Sequence, residues 1–166
     1  MTTDGAVGEH AVVAAIRAAA PSRRNGDDAA VLPLTTTNAR GITVWNGYDT
    51  LSRPAEQRLD GPTGKLLADF GYDIAPGGKG MPATATRYTD GAAYTQRVDG
   101  YTEDYQPTST TLALPQAVAD TWGLKPSYTY GYTYNDTGAL KEASLPAVGR
   151  FDAEKLVVRY NKDGKP

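Results

Sequence analysis

A tyrosine-led turn recurs five times along this chain and constrains its fold more than any other feature. The copies stand at Tyr48-Asp49, Tyr72-Asp73, Tyr101 to Asp104, Tyr134-Asn135 and Tyr160-Asn161. In such a turn the Asn or Asp side chain bonds to the backbone, a following glycine such as Gly138 or Gly164 takes a positive φ, and the tyrosine ring covers the neighbouring strand. Repetition at intervals of roughly 24 to 33 residues indicates a stacked β-array.

Composition narrows the classes of function that the chain can have. Its 166 residues carry a formal net charge of −2, so it lacks the basic surface typical of proteins that bind nucleic acid or anionic membranes. It contains no cysteine, which excludes disulfide bonds, thiolate metal sites and cysteine nucleophiles. We find neither a secretion signal nor an apolar run that could span a bilayer. The sequence as written therefore predicts a cytoplasmic location.

The character of the sequence changes near Val44. Residues 1–44 predict a short helix from Gly8 to Ala20 and a short strand from Ala29 to Leu34, whereas residues 45–166 predict strands and turns. The strand candidates there are Thr84 to Tyr88, Ala92 to Val98, Ser109 to Leu114, Ser127 to Tyr134 and Leu156 to Tyr160, and Gln116 to Trp122 predicts a short helix. We thus expect a mainly β protein, an open antiparallel repeat sheet with a short N-terminal α-helical segment.

One predicted strand carries a row of aromatic side chains. From Ser127 to Tyr134 the sequence alternates strictly, so its four tyrosines, Tyr128, Tyr130, Tyr132 and Tyr134, lie on one face. Tyrosine provides apolar area and a hydroxyl at low entropic cost, which suits a partner-binding surface. The alternative is that these rings pack between neighbouring repeats.

The segment from about residue 45 to residue 166 resembles RHS, or YD-repeat, proteins of actinobacterial type. The motifs that carry the resemblance are Gly47 to Pro54, Gly71-Tyr72-Asp73, Arg87 to Tyr94, Gly100 to Pro107 and Tyr134 to Leu140. The resemblance implies a long β-sheet that spirals into a hollow shell around a toxin domain, in proteins that are secreted or on the cell surface. This chain has about five repeats where family members have dozens, and Ser52 stands where the turn usually has glycine.

The N-terminal part resembles a different family. Gly8-Glu9-His10 and Asn25 to Val31 are similar to the opening of thiamine-monophosphate kinases. That resemblance implies Asp27 and Asp28 as ligands of magnesium, which two adjacent carboxylates can hold against phosphate oxygens. The acidic, threonine-rich motif expected just past Val44 is replaced by Trp45-Asn46-Gly47-Tyr48, and the rest of the kinase fold is absent. The two resemblances together suggest a chimera of unrelated coding segments.

Other residues that could take part in catalysis or ligand binding have ordinary structural explanations. His10 is the one histidine in the chain, and no Gly-x-Ser-x-Gly motif accompanies it. The Gly77 to Gly80 segment lacks the spacing of a phosphate-binding loop, and we expect it to be a loop between repeats. Glu103 and Asp104 would point to opposite faces of a strand. We therefore expect a protein that is not an enzyme and needs no cofactor. Its expected partner is a protein, with self-association as a further option.

Three interpretations of function stay open on the sequence. The first is a structural or protein-binding module derived from a toxin-enclosing RHS shell, because an open sheet exposes unpaired backbone groups at its edges. The second is an antitoxin-like binder that neutralises a small toxin. The third is a metal- and nucleotide-binding remnant that uses Asp27 and Asp28.

Overall fold

The computed structural model describes residues 32–165 and shows ten β-strands and one helix in them. The predicted N-terminal helix, His10, Asp27 and Asp28 lie outside these residues, as does the first half of the predicted strand from Ala29 to Leu34. Within each of the two units described below, the strands are ordered in their sheet as they are in the chain, and consecutive strands run antiparallel. Their contacts divide the chain into Met1–Leu66 and Leu67–Pro166.

The first unit contains three described strands. They are β1 (Thr35–Thr37), β2 (Thr43–Tyr48) and β3 (Pro54–Leu59). Leu32 to Leu34 form no strand, because Pro33 makes only an isolated bridge, and β1 begins at Thr35. The prediction of a strand ending at Leu34 is therefore wrong for these three residues. Proline has a fixed φ and no N–H to donate, so it does not continue a strand.

The second unit contains the remaining strands and the helix. The strands are β4 (Leu66–Tyr72), whose first residue closes the first unit, β5 (Pro82–Thr89), β6 (Ala92–Tyr101), β7 (Pro107–Ala113), β8 (Ser127–Tyr134), β9 (Leu140–Leu145) and β10 (Glu154–Val157). Helix α1 (Gln116–Trp122) lies between β7 and β8 and ends at Gly123, which has a left-handed φ of 63°. The predicted bounds of α1 and β8 are confirmed, and the mainly β fold is confirmed with them.

Five strands were not among the sequence candidates, namely β1, β2, β3, β4 and β9, and the predicted strand from Leu156 to Tyr160 is wrong at residues 158–160, because β10 ends at Val157. Three of the five lack a clear strand pattern. β3 contains Glu56 and Arg58, β9 contains Lys141 and Glu142, and β4 has no polar–apolar alternation. Their residues have weak strand propensity or none of the period-two pattern, and pairing with a neighbouring strand determines their conformation. Propensity alone therefore could not identify them.

The hydrophobic core of the described residues is thin. Its buried apolar residues are Ala75, Ala83, Ala119, Tyr128 and Ala143, and no large side chain there is completely buried. Four of the five are alanines, which bury little apolar area and contribute correspondingly little hydrophobic free energy. The strands therefore depend heavily on backbone pairing and on the contacts of their turns.

A register shift precedes the turn-leading tyrosines. Shifts occur between Gly47 and Tyr48, between Gly71 and Tyr72, between Gly100 and Tyr101 and between Thr133 and Tyr134. A bulge of this kind bends the strand and increases its local twist. Each bulge thus redirects the tyrosine that follows it.

The loop between β4 and β5 lies against Tyr101. The Tyr101 N–H donates to the Pro76 carbonyl at 2.9 Å, and a Cβ added at Gly78 would lie 2.6 Å from the Tyr101 ring. The glycine-rich segment from Gly77 to Gly80 is therefore an inter-strand loop, as the sequence predicted, and its glycines allow close approach to an aromatic ring.

Within residues 32–165 no helix has the length and apolar content needed to cross a membrane.

We predict that Gly78→Ala destabilises the second unit by about 1–3 kcal/mol, because the new methyl group overlaps a ring held in place at both ends. Gly131→Ala in β8 is the matched control, since a Cβ there would lie 3.6 Å from the nearest atom, in ordinary contact. Urea unfolding of both variants measures the difference. Equal stability of the two proteins would contradict the overlap.

Candidate functional site

The tyrosine-led turns of the second unit lie at one end of its strands. They follow β4, β6, β8 and β10, which are alternate strands of an antiparallel series. Alternate connections of such a series lie at the same end of the sheet. The repeated motif is therefore concentrated along one end, and we treat this row of turns as the candidate site.

The turns after Tyr134 and Tyr160 share one set of hydrogen bonds. In the first, the Asn135 N–H donates to the Ala139 carbonyl, and the Gly138 N–H donates to the Asn135 carbonyl. The Asn135 Oδ1 accepts from the N–H groups of Thr137 and Ala139 at 3.1 and 2.8 Å. The turn at Asn161 makes the same bonds to Asp163, Gly164 and Lys165. The asparagine side chain thus accepts hydrogen bonds from backbone N–H groups that a tight turn leaves without a backbone partner.

The turn after Tyr48 in the first unit has the same geometry with other residues. The Asp49 Oδ1 accepts from the N–H groups of Leu51 and Arg53, both at 2.9 Å. Ser52 occupies the glycine position with a φ of 62°, so serine in place of glycine does not change the turn. The backbone hydrogen bond from Arg53, together with that residue's guanidinium 2.7 Å away, lowers the pKa of the Asp49 carboxyl.

The turn after Tyr101 differs from the sequence prediction in its polar residue. Thr102 occupies the position of Asn135, and its Oγ1 accepts from the Gln106 N–H at 3.1 Å. Asp104 lies in the turn and is exposed. Tyr105 takes the positive-φ position at 58° and is 52% exposed. A bulky residue in this conformation is strained, where the related turns use glycine or serine.

The turn after Tyr72 is longer than the others. The Asp73 N–H donates to the Met81 carbonyl at 3.0 Å, and the Asp73 carboxylate accepts from the Gly80 N–H. Asp73 itself has a φ of 67°. The Asp73 carboxylate therefore closes this loop through the backbone, as the Asp49 carboxylate closes the turn after Tyr48.

Each of four turn-leading tyrosines donates its hydroxyl to a backbone carbonyl earlier in the chain. Tyr48 bonds to Pro33 at 3.0 Å, Tyr101 to Pro82 at 2.6 Å, Tyr134 to Pro107 at 2.8 Å and Tyr160 to Leu140 at 2.8 Å. We call these the tyrosine–carbonyl bonds. They join residues 15 to 27 positions apart, so each one links a turn to a preceding part of the chain.

The acceptors in the second unit follow a rule. Pro82 is the register partner of Tyr72, Pro107 of Tyr101 and Leu140 of Tyr134. Each tyrosine therefore bonds to the residue that lies opposite the previous turn-leading tyrosine. The bond repeats from hairpin to hairpin, and it ties every hairpin to the one before it.

Burial supports the donor role of these hydroxyls. Desolvation raises the pKa of the Tyr101 hydroxyl, and it raises that of Tyr134 together with a smaller contribution from Tyr132. A raised pKa keeps the phenol protonated, and only a protonated phenol can donate to a carbonyl. The tyrosine–carbonyl bonds of Tyr101 and Tyr134 thus persist through the neutral and moderately alkaline range.

The four tyrosines of β8 make internal contacts. Tyr128 is 5% exposed and its hydroxyl accepts from the Lys125 N–H at 2.9 Å, while the Tyr132 hydroxyl lies 3.1 Å from the Thr110 hydroxyl. Tyr134 forms its tyrosine–carbonyl bond, and Tyr130 also has an interaction within the protein. Tyr130, Tyr132 and Tyr134 are half-buried. The role of the four tyrosines in partner binding stays a prediction.

Two cross-strand threonine pairs lie in the second unit, and the sequence reasoning missed them. Thr86 pairs with Thr95 at 3.1 Å, and Thr111 pairs with Thr129 at 2.8 Å. Thr111 also donates to Asp99 at 2.6 Å, and Asp99 accepts from the Arg97 guanidinium at 2.6 Å. The threonines of consecutive strands were the available signal, because cross-strand threonines hydrogen-bond readily.

Two contacts of tyrosine side chains also join strands of the second unit. The Tyr88 hydroxyl donates to the Asp69 carboxylate at 2.7 Å, and this bond is the main cause of the raised pKa of Tyr88. The Arg87 guanidinium lies 5.0 Å from the centre of the Tyr94 ring, a cation–π distance. Both contacts join neighbouring strands and add to the backbone pairing.

Metal binding has no visible basis in the described residues. No group of three or more His, Asp or Glu side chains in residues 32–165 could hold a metal ion. Glu103 and Asp104 are adjacent, exposed members of the turn after Tyr101. They therefore lie in a turn and not on a strand, so the expectation that they point to opposite faces of a strand is wrong.

The fold and the repeated turns define a β-repeat protein built from hairpins that begin their turns with tyrosine. Among solved structures, the chain is similar to a chain in the crystal structure of TcdB2-TccC3, with a TM-score of 0.54 and 16% identity, over 83% of this chain and 9% of that one. It is also similar to a chain of the TcdB2-TccC3-Cdc42 crystal structure, with a TM-score of 0.52 and 16% identity, over 82% of this chain and 8% of that one.

A third similar structure is the Photorhabdus luminescens Tc holotoxin pore, with a TM-score of 0.53 and 16% identity over 83% of this chain and 8% of that one. This chain thus spans less than a tenth of the chains it matches, and at this identity the likeness concerns the fold. No family model and no curated protein matches the sequence. None of the comparisons supports a thiamine-monophosphate kinase segment.

We predict that acidification removes a stabilising contribution of Asp49. A carboxyl whose pKa is lowered by folding contributes stability above its unfolded pKa, here 3.8, and loses it as the pH falls through the lower folded value. Asp49→Asn keeps the Oδ1 acceptor but loses the charge, so its loss of stability between about pH 6 and pH 3 will be smaller than that of the wild type.

Urea unfolding at the two pH values measures this effect, with Asp136→Asn in the turn after Tyr134 as the matched control. Asp136 is exposed, so its substitution will leave the acid response of the wild type unchanged. An identical acid response in all three proteins would refute the role of the Asp49 charge.

We predict that Tyr134→Phe lowers the free energy of unfolding of the second unit by about 1 kcal/mol, because the Pro107 carbonyl loses its hydrogen bond. Amide hydrogen exchange will show the loss of protection on both sides of the missing bond, in β7 and in β8. Tyr105→Phe is the control, because Tyr105 is an exposed turn residue. A loss of similar size in both variants would contradict a specific tyrosine–carbonyl bond.

Proposed function

We propose that this chain is a non-enzymatic structural module, a segment of the β-repeat wall of an RHS-type toxin shell, which acts through contacts with another polypeptide. The observation that carries the proposal is the series of tyrosine–carbonyl bonds. A bond that repeats from one hairpin to the next suits a wall that is extended by adding hairpins.

The chemistry of the repeated motif supports a structural role. The Asn135 and Asn161 side chains are engaged by turn N–H groups, and the hydroxyls of Tyr101, Tyr134 and Tyr160 are engaged by carbonyls. These polar groups hold the backbone in place. A catalytic group, in contrast, needs a nucleophile or an acid–base pair directed at a substrate position.

The likeness to the TcdB2-TccC3 structures supports the choice of family. It covers more than four fifths of this chain, so it includes the described hairpins as a set. The RHS motifs of the sequence and this likeness are independent reasons for the same assignment. Since the chain spans 9% of the matched chain, the activity of a complete toxin complex is not assigned to it.

The proposal is tested by co-expressing the chain with the polypeptide encoded directly after it in its source genome. We expect the two to co-elute as a stoichiometric complex in size-exclusion chromatography with light scattering. The double variant Tyr101→Phe, Tyr134→Phe will weaken the complex, because it removes two tyrosine–carbonyl bonds from the wall. Tyr105→Phe serves as the control and will leave the complex intact.

Separate elution of the two wild-type chains at concentrations of about 10–100 μM would overturn the proposal, since that range detects affinities expected of a specific protein contact. Loss of the complex in Tyr105→Phe as well would show that binding does not depend on the wall geometry.

A further inference from the structure

A small cavity lies between the β4–β5 loop and the strands β5 and β6. Its volume is about 280 Å³, and its apolar lining comes from Ile74, Ala75 and Pro76 in the loop, Ala83 in β5 and Val98 in β6. Both strands have a paired neighbour on each side. The cavity therefore belongs to the interior of the strand series in the second unit.

Hydrogen bonds fix the loop that forms one wall of the cavity. The Tyr101 N–H donates to the Pro76 carbonyl, and the Gly78 N–H donates to the Ala75 carbonyl, each at 2.9 Å. Ala75 and Ala83 are 7% and 2% exposed, so these two small side chains form a buried floor. A site with fixed walls loses little conformational freedom when a ligand binds.

Ile74 is the exposed apolar residue of the cavity. Its Cδ1 lies 3.9 Å from the position of a Cβ added at Gly71, so the side chain lies beside β4. It nevertheless remains 72% exposed. Most of its apolar surface is thus available for contact with a ligand.

The two charged residues of the cavity are Arg97 and Asp99, and their hydrogen-bonding capacity is used unequally. Both Asp99 oxygens are engaged, one by the Arg97 Nε–H and the other by the Thr111 hydroxyl, each at 2.6 Å. Within the part of the chain that the structure describes, no hydrogen bond reaches the Nη groups of Arg97. The Arg97 side chain is 57% exposed, whereas that of Asp99 is 22% exposed. The cavity therefore offers charged donors, which match an anionic acceptor.

We propose that this cavity binds the C-terminal residue of a peptide when that residue has a small apolar side chain. Its carboxylate accepts two parallel hydrogen bonds from the Nη groups of Arg97, a geometry that suits the planar guanidinium. Its side chain packs against Ile74, Pro76 and Val98. The preceding residues of the peptide extend from the cavity into solvent.

The volume of the cavity limits the size of the ligand. Cavities that hold drug-sized ligands have volumes of roughly 300–1,000 Å³, and this one is smaller. One residue of the size of valine fits it. An anion without an apolar group leaves the lining uncovered, and an apolar group without an anion leaves the Arg97 donors unpaired. The site therefore requires both features in one small ligand.

The expected affinity for a single residue is low. Asp99 offsets part of the positive charge of Arg97, and a ligand of few atoms makes few contacts. We expect a dissociation constant on the order of 1–10 mM for one terminal residue.

Titration with N-acetyl-L-valine, followed through the backbone amide signals in NMR spectra, tests the site in the whole chain. We expect saturable shifts that are largest for Ile74, Ala75, Val98 and Asp99. N-acetyl-L-valinamide has the same apolar group without the charge. It will bind at least about fivefold more weakly, because hydrogen bonds between ionised groups are the stronger ones.

Substitutions separate the two features of the ligand. Arg97→Gln will weaken the binding of N-acetyl-L-valine at least about fivefold. Arg87→Gln is the matched control, because it removes the same charge from an exposed arginine that does not line the cavity. Ile74→Ser will also weaken binding, whereas Leu51→Ser, at a residue that is 68% exposed in a turn of the first unit, will not. The same spectra show whether each variant remains folded.

The comparison of the acid and the amide uses the wild type alone, so it holds even if a variant does not fold. Absence of saturable shifts at about 50 mM N-acetyl-L-valine, several times the expected dissociation constant, would overturn the proposal. Equal affinity for the acid and the amide would do so as well. Equal weakening by Arg97→Gln and Arg87→Gln would show a general effect of charge and would also overturn it.

This site is separate from the wall proposal. The titration measures a small ligand on the chain alone, whereas the test of the wall measures a complex with a second polypeptide and its dependence on tyrosine–carbonyl bonds. Either inference can therefore fail while the other stands.

Discussion

The hydrogen bond from a turn-leading tyrosine to an earlier carbonyl is the interaction on which the structure depends most. The core of the described residues consists mainly of alanine and contains no large, completely buried side chain, so hydrophobic burial provides comparatively little stability. The tyrosine–carbonyl bonds and the backbone pairing of adjacent strands stabilise the sheet instead. Because the acceptor of each bond lies opposite the preceding turn-leading tyrosine, a change in one hairpin alters the position of the next.

The turns and the turn-leading tyrosines depend on one another for their positions. The bulge before Tyr134 redirects its ring, and the Asn135 turn after it fixes the return of the chain at Leu140. Leu140 then provides the carbonyl for Tyr160. The turn of one hairpin thus positions the carbonyl that accepts the tyrosine hydroxyl of the next hairpin. This dependence explains why an aromatic residue and an amide or carboxylate recur together in the sequence.

Much of the fold was predictable because its signals are local. The alternation from Ser127 to Tyr134 predicted β8 with its observed bounds, and the helix from Gln116 to Trp122 was predicted where it occurs. The strands β1 and β2 were not among the candidates, and β3, β4 and β9 were missed because their conformation follows from pairing with neighbours. The predicted strand up to Leu34 was wrong at Leu32 to Leu34, since Pro33 cannot continue a strand.

The sequence by itself determined the turns. Asn, Asp, Gly and Tyr at these spacings specify a closed turn through bonds that span only a few residues, and Ser52 shows that the geometry survives a change of residue. Only the tertiary structure decided the acceptors of the tyrosine hydroxyls and the partners of the cross-strand threonines. Each depends on strand register, which joins residues far apart in the chain and changes every contact when it shifts by one position.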